Sequence, residues 1–304
     1  MGQNHLRFGL NEKEVLSPSY YAKKCPEAEG IIQQKVKQWF LKDSTMAASL
    51  IRLHFHDCLV RGCDASILLN HRGSERRATE SKTLRGFEVI DEIKQEIERK
   101  CPKMVSCADI LTAAARDATV IIGGPFWELS YGRKDGTISV AKEASLVPQG
   151  NENVTQLINI FQEIGLNILD LVVLSGSHTI GRSTCRSILH RILPNSGGEL
   201  DRNYKKNLTR SCKWSTDYVN LDSVTPKKFD NQYYMNLEKK MGLLSTDEAL
   251  FMDPRTSPFV SAMATQNLDL FYTQFAVSMV KLANVVLPSK YPKEVRLNCN
   301  IVNS

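Results

Sequence analysis

The sequence predicts a mainly α-helical fold held by disulfides, and three observations carry that reading. Apolar residues recur three and four positions apart through most of the chain, the spacing of one buried helical stripe. Strand-like alternation is scarce. Eight cysteines, Cys25, Cys58, Cys63, Cys101, Cys107, Cys185, Cys212 and Cys299, are spread evenly along 304 residues, the usage of a chain folded in an oxidising compartment. Counting alone does not choose their partners.

The elements follow in order. Residues 31–40 form an amphipathic helix. Asp43-Ser44 offers a cap before a helix over residues 45–58, with Met46, Leu50, Ile51, Leu53 and Phe55 apolar. Residues 87–100 place Phe87, Ile90, Ile93 and Ile97 on one face. Ser106 caps a helix running to Ile122, which Gly123-Gly124-Pro125 ends. Residues 127–132 are the best strand candidate, with at most one short partner. Asn153 caps a helix to Gly165, and another spans 168–176. Ser257-Pro258 opens a further helix, and the apolar stretch 270–286 closes the set. No repeat and no linker divides the chain, so it reads as a single domain over residues 19–304 behind an N-terminal extension, 1–18.

With 42 % hydrophobic and 24 % charged residues the chain can build a core, which excludes disordered and fibrous classes. The net charge of +6 is mild and mixed along the chain; nucleic acid is not an expected partner, whereas an anionic matrix is compatible. No window approaches the roughly 18 consecutive apolar residues of a membrane span. The sequons at Asn153 and Asn207 fit a secretory route, although residues 1–14 carry no apolar leader; trimming or a late start accounts for that.

Chemistry concentrates first in SLIRLHFHDCLVRGCDASILL, residues 49–69. Arg52 and His56 are four apart and share a helix face. A guanidinium is costly to bury unpartnered, so the pair is either a structural polar contact or a base beside a fixed positive charge, facing a cavity where negative charge develops. His54 lies on the other side of the same helix and reads as a core histidine. The spacing of His54, His56, Cys58 and Cys63 does not suit zinc. Asp57, Asp64 and Ser66, with the carbonyls of Val60 and Gly62, form either a calcium loop or a polar surface turn.

The second stretch is DLVVLSGSHTIGRSTC, residues 170–185. His178 continues the apolar face set by Leu171 and Leu174, as a core histidine or as a haem-type ligand. Gly176 and Gly181 flank it and would let a flat group approach the backbone. In NLDSVTPKKFDNQYY, residues 220–234, Asp222, Thr225 and Asp230 offer oxygens for a loop ion site. Asp247 alone reads as a helix cap.

Six stretches then occur in a fixed order: RLHFHDC (52–58), LRGFEVID (84–91), VSCADIL (105–111), GRKD (132–135), LSGSHTIG (174–181) and FDNQYY (229–234). On these the chain resembles the secretory plant haem peroxidases of class III, from residue 19 to residue 300. The resemblance implies a haem peroxidase fold, with distal and proximal helical halves sandwiching one haem b, two calcium ions and very little β structure. It implies reduction of hydrogen peroxide to water while phenolic donors lose single electrons, in cell-wall phenol and lignin oxidation and in oxidative stress.

Residue by residue, the resemblance makes His178 the axial ligand of the haem iron and Asp247 the carboxylate on its other nitrogen. His56 becomes the distal base, Arg52 the distal arginine, Phe55 the cover over the haem, and Pro148 the rim where donors bind. A distal calcium would take Asp57, Val60, Gly62, Asp64 and Ser66. A proximal one would take Thr179, Asp222, Thr225, Lys228 (through its carbonyl) and Asp230. The implied disulfides are Cys25–Cys101, Cys58–Cys63, Cys107–Cys299 and Cys185–Cys212.

Two departures stand out. The family carries an Asn that accepts a hydrogen bond from the distal histidine, in a Pro-Asn pair after the motif's Glu75. Here the segment SERRATESKTLRGF is one residue shorter and offers Glu80 or Ser81 instead. Gly150 replaces a second channel proline. The alternative reading is therefore a wall polysaccharide-binding protein with weakened peroxidase activity. The expected protein is a secreted monomer of the cell wall rather than the vacuole, its basic surface (pI near 8.8) suited to acidic polysaccharide.

Overall fold

The computed structural model describes residues 16–193, 200–286 and 291–304, and helices carry nearly all of its regular structure. The first half is built from α1 (Ala28–Lys42), α2 (Met46–Arg61), α3 (Phe87–Lys100) and α4 (Cys107–Ile121). α2 is apolar on nearly every side and accordingly buried, with Leu50, Leu53, His54, His56, Asp57 and Cys58 inside and α4 as its main neighbour. α4 starts where Ser106 predicts: its hydroxyl accepts the Asp109 N–H at 3.2 Å.

The second half begins with α5 (Val154–Glu163) and α6 (Ile168–Ser175). Asn153 caps α5 reciprocally with Gln156, and Asn167 caps α6 reciprocally with Asp170. There follow β1 (Arg182–Thr184), α7 (Cys185–Ile192), α8 (Arg202–Ser211) and β2 (Tyr218–Asn220). α9 (Gln232–Glu238), α10 (Ser245–Met252), α11 (Ser257–Met263) and α12 (Leu268–Ala283) complete the chain. One large apolar core runs through both halves, and its aromatic centre stacks Phe229 on Phe271 with ring centroids 5.6 Å apart. A smaller core of Ile188, Tyr204, Leu208 and Leu243 lies under α7 and α8.

All four disulfides expected from the resemblance form: Cys25–Cys101, Cys58–Cys63, Cys107–Cys299 and Cys185–Cys212. Among the described residues no single helix is long and apolar enough to cross a membrane. Most of the expected extension, 1–18, lies outside the described residues; Ser17 exchanges two backbone hydrogen bonds with Tyr131.

The strand expected over 127–132 is a correction. Trp127, Leu129 and Tyr131 are buried alternately, so the period of two is real, but only Tyr131 meets a partner. The two-stranded sheet is instead β1 against β2, antiparallel with Ser183 opposite Val219. Strands of three residues leave no periodic signal. The cap before α2 also shifts: Thr45 takes the cap position, and Asp43 Oδ1 accepts its N–H at 2.9 Å and its hydroxyl at 2.6 Å.

Candidate active site

Arg52 and His56 share the face of α2 that their spacing requires. His56 is buried, and burial followed by the Arg52 charge pulls its imidazole well below the ordinary histidine value. It is therefore neutral at neutral pH and able to accept a proton. Arg52 is open to solvent, and the protein packed around it pulls its guanidinium below the ordinary arginine value. Its Nη1 donates to Thr83 Oγ1 at 2.8 Å. Phe55 is half-buried between the two rings of His56 and Phe161, with centroids 6.4 and 6.0 Å away.

His178 sits on a short 3-10 turn, Gly176–Thr179, directly after α6. Its Nδ1 is 2.8 Å from Asp247 Oδ1, on the first turn of α10. The same carboxylate accepts the Tyr233 hydroxyl at 3.0 Å and the Leu244 N–H at 2.8 Å. Asp247 thus does both things the sequence leaves open, capping its helix and orienting a histidine. With Nδ1–H committed to the carboxylate, Nε2 is left with its lone pair free, on a side chain 34 % exposed.

The two histidine segments converge. A methyl group at Gly181, three residues past His178, would meet Ala48 Cβ at 3.2 Å, one turn before Arg52 on α2. Pro148 is half-buried on a loop that spans the two halves. Beside it Val147 packs on Leu59 and Val60 of α2, and the Gly150 carbonyl accepts the Thr246 N–H of α10 at 3.2 Å.

Buried oxygens gather next to each histidine. Asp57, Asp64 and Glu75 lie together inside, and burial then mutual repulsion lifts Asp57 well above the usual carboxylate range. Burial and the Asp64 charge push Glu75 up to about 8. Asp57 Oδ1, Ser66 Oγ and Glu75 Oε2 have no hydrogen-bond partner among the described residues. Such hard, crowded, unpaired oxygens suit a divalent cation. Ala65, in this loop, is held at a left-handed φ of 59° by the Asp57 carboxylate on its N–H and Arg296 on its carbonyl. Behind His178, Thr179, Asp222, Thr225 and Asp230 form a second cluster. Thr179 and Thr225 donate to Asp230 Oδ1 at 3.2 and 3.0 Å, and Thr225 also to Asp222 Oδ2 at 3.2 Å. Lys228 enters beside it, its Nζ 3.7 Å from Asp230 Oδ2.

One sequence reading changes here. The glycines around His178 serve protein packing: a side chain at Gly176 would strike the Tyr234 hydroxyl, and Gly181 is filled by Ala48 and Leu221. His54 is a core residue beside the Cys58–Cys63 bridge, whose oxidised sulfurs leave no zinc ligands. Sequence reasoning missed Glu75 beside Asp57 and Asp64, and Tyr233 on the Asp247 carboxylate, because nothing in their spacing ties them to those partners. It also missed that VSCADIL and GRKD meet: Asp109 accepts from Tyr21, Gly132 and Arg133, and Asp135 from Ala108 and Arg296.

A carboxylate-backed imidazole on one side and an Arg–His pair on the other, each beside a cluster of buried oxygens, define a haem peroxidase. The chain belongs to the peroxidase family, in its secretory plant class: the family model described as "Peroxidase" matches residues 32–266. It is 51 % identical over 297 residues to Peroxidase 7 of Arabidopsis thaliana, covering 95 % of this chain and 85 % of that protein. It is 43 % identical to Peroxidase 40 (99 % and 90 % covered) and 44 % identical to Peroxidase 72 (95 % and 90 %), both of the same plant. It is an enzyme, a peroxidase acting on hydrogen peroxide and an electron donor. The alternative of a binding protein with decayed catalysis finds no support.

Proposed function

We propose that one haem b lies in the crevice between α2 and the His178 turn, with its iron on His178 Nε2 and phenols as donors. The observation that carries this is the 2.8 Å bond between His178 Nδ1 and Asp247, which leaves a single, strongly donating nitrogen. The haem iron, when bound, supplies the redox chemistry that splits the peroxide O–O bond and oxidises donors. His56 takes the proton from the near oxygen of hydrogen peroxide and returns it to the departing one, which leaves as water. Its low proton affinity keeps it neutral and ready. Arg52 offsets the negative charge that develops on the departing oxygen. Phe55 shields the distal side, and donors approach at the rim by Pro148.

The distal cation is calcium on Asp57, Asp64 and Ser66 with the Val60 and Gly62 carbonyls. The proximal one is calcium on Thr179, Asp222, Thr225, Asp230 and the Lys228 carbonyl. Each cluster adjoins a catalytic histidine, since Asp57 follows His56 and Thr179 follows His178, so the ions fix the backbone at both. The chain is a single domain over residues 19–304 and a monomer, secreted to the cell wall, where acidic polysaccharide retains it. Asn207, exposed on α8, is open to glycosylation.

The test is steady-state oxidation of a simple phenol by hydrogen peroxide, wild type against His56→Leu. Loss of the base lowers kcat/KM at least about 100-fold. Equal rates would refute the role of His56.

A further inference from the structure

Two buried polar atoms near the distal base have no hydrogen-bond partner among the described residues, His56 Nδ1 and Ser81 Oγ. Both residues are 3 % exposed. Native interiors seldom leave such atoms unpaired. The chain path brings their two segments together, because residues 75–86 run antiparallel to α2. At the start of that segment, Glu75 acts electrostatically on Asp57. Further on, Thr83 Oγ1 accepts from Arg52. At its end, a side chain on Gly86 would meet Leu50 at 3.0 Å and the Met46 sulfur at 3.7 Å. The segment therefore advances from 75 to 86 as α2 recedes from 57 to 46. Along this segment Ser81 comes between the residues that meet Asp57 and Arg52, as His56 does on α2. Two successive backbone turns fix it there, Ser81 N–H to the Ala78 carbonyl and Leu84 N–H to the Ser81 carbonyl. Glu80, its neighbour, is partly open to water.

We propose that Ser81 is the positioning residue of His56, its hydroxyl receiving the Nδ1–H hydrogen bond through one buried water. The inference rests on the peroxidase reading of His56 given above. A water with polar partners on both sides satisfies both atoms. It also fixes the imidazole tautomer, so that the lone pair of Nε2 faces the peroxide. A neutral acceptor of this kind leaves His56 only weakly basic, where a carboxylate would make it strongly so.

The test follows fluoride affinity against pH by absorbance in the ferric, haem-loaded protein, an equilibrium that reports the His56 protonation without turnover. Ser81→Ala lowers the apparent His56 pKa by about half a pH unit, a threefold change in proton affinity, because the imidazolium loses its acceptor. Ser81→Thr, which keeps the hydroxyl, and Glu80→Gln both follow wild type. An unmoved profile in Ser81→Ala, or a shift of that size in Glu80→Gln, overturns the proposal. Independently of any variant, a crystal structure of the wild-type holoenzyme shows a water bonded to both atoms; direct contact of His56 with Glu80 instead would refute it. A chain that takes up no haem, seen as a missing Soret band, overturns the peroxidase reading and this inference with it.

Discussion

Replacing Asp247 by Asn probes the proximal side with little change of shape. The carboxylate serves three donors at once, His178 Nδ1 at 2.8 Å, Tyr233 Oη at 3.0 Å and Leu244 N at 2.8 Å. An amide offers one acceptor and brings an NH2 that must face a donor. At least one of the three bonds is lost and the charge assistance of all three disappears. A hydrogen bond to a charged group is worth about 1.5–3 kcal/mol, which corresponds to a factor of roughly 10–100 in rate or affinity. That range matches what is usually lost when the partner of a metal-bound histidine is removed. Stopped-flow decay of hydrogen peroxide with the haem-loaded variant, alongside the iron midpoint potential, measures it. Asp247→Asn slows peroxide consumption 10- to 100-fold and raises the potential, while Tyr233→Phe, which leaves the carboxylate its full charge, does not raise the potential. Wild-type rate and potential in Asp247→Asn would refute the claim that this carboxylate tunes His178.

Other outcomes follow from the same structure. Removing calcium with a chelator leaves the Asp57–Asp64–Glu75 cluster unneutralised and lowers the melting temperature by several degrees, since a ligand at 1,000 Kd contributes about 4 kcal/mol; metal analysis of the purified protein finds two calcium ions per chain. His54 sets an acid limit. Burial, then the Arg133 charge, lowers its pKa from 6.5 to about 3, so only the unfolded chain takes up its proton between those values. Its contribution to stability is full above pH 6.5 and falls as the pH drops toward 3, by roughly 2–3 kcal/mol at pH 4.5; urea melts at pH 7 and 4.5 show the His54→Leu variant losing that much less than wild type. Arg52→Leu slows peroxide consumption at least about 100-fold in stopped flow while leaving the Soret band in place.

The long helices were legible because their apolar stripes and caps are local. Ser106 and Asn153 announce α4 and α5, and Phe87, Ile90, Ile93 and Ile97 announce α3. α7 and α8 were not, because the first is short and the second carries only Tyr204 and Leu208 as buried anchors among basic residues. At the site, residue types and spacing marked Arg52 with His56, and each loop of carboxylates. They did not show what His178 faces, since Asp247 lies 69 residues away and reaches it only through the packing of α10. The glycine reading failed for a related reason: the space a missing side chain leaves can be filled by protein, and Tyr234 and Phe271 fill it at Gly176.

The central claim is that His178 and the Arg52–His56 pair face one haem. Haemin titration of the purified chain, read at the Soret band and followed by addition of hydrogen peroxide, tests it most directly. The structure predicts saturation at one equivalent, a Soret change on peroxide addition that a phenol reverses, and loss of tight binding in His178→Ala. A wild-type chain that takes up no haem, or a His178→Ala variant that binds and responds as wild type does, would contradict it.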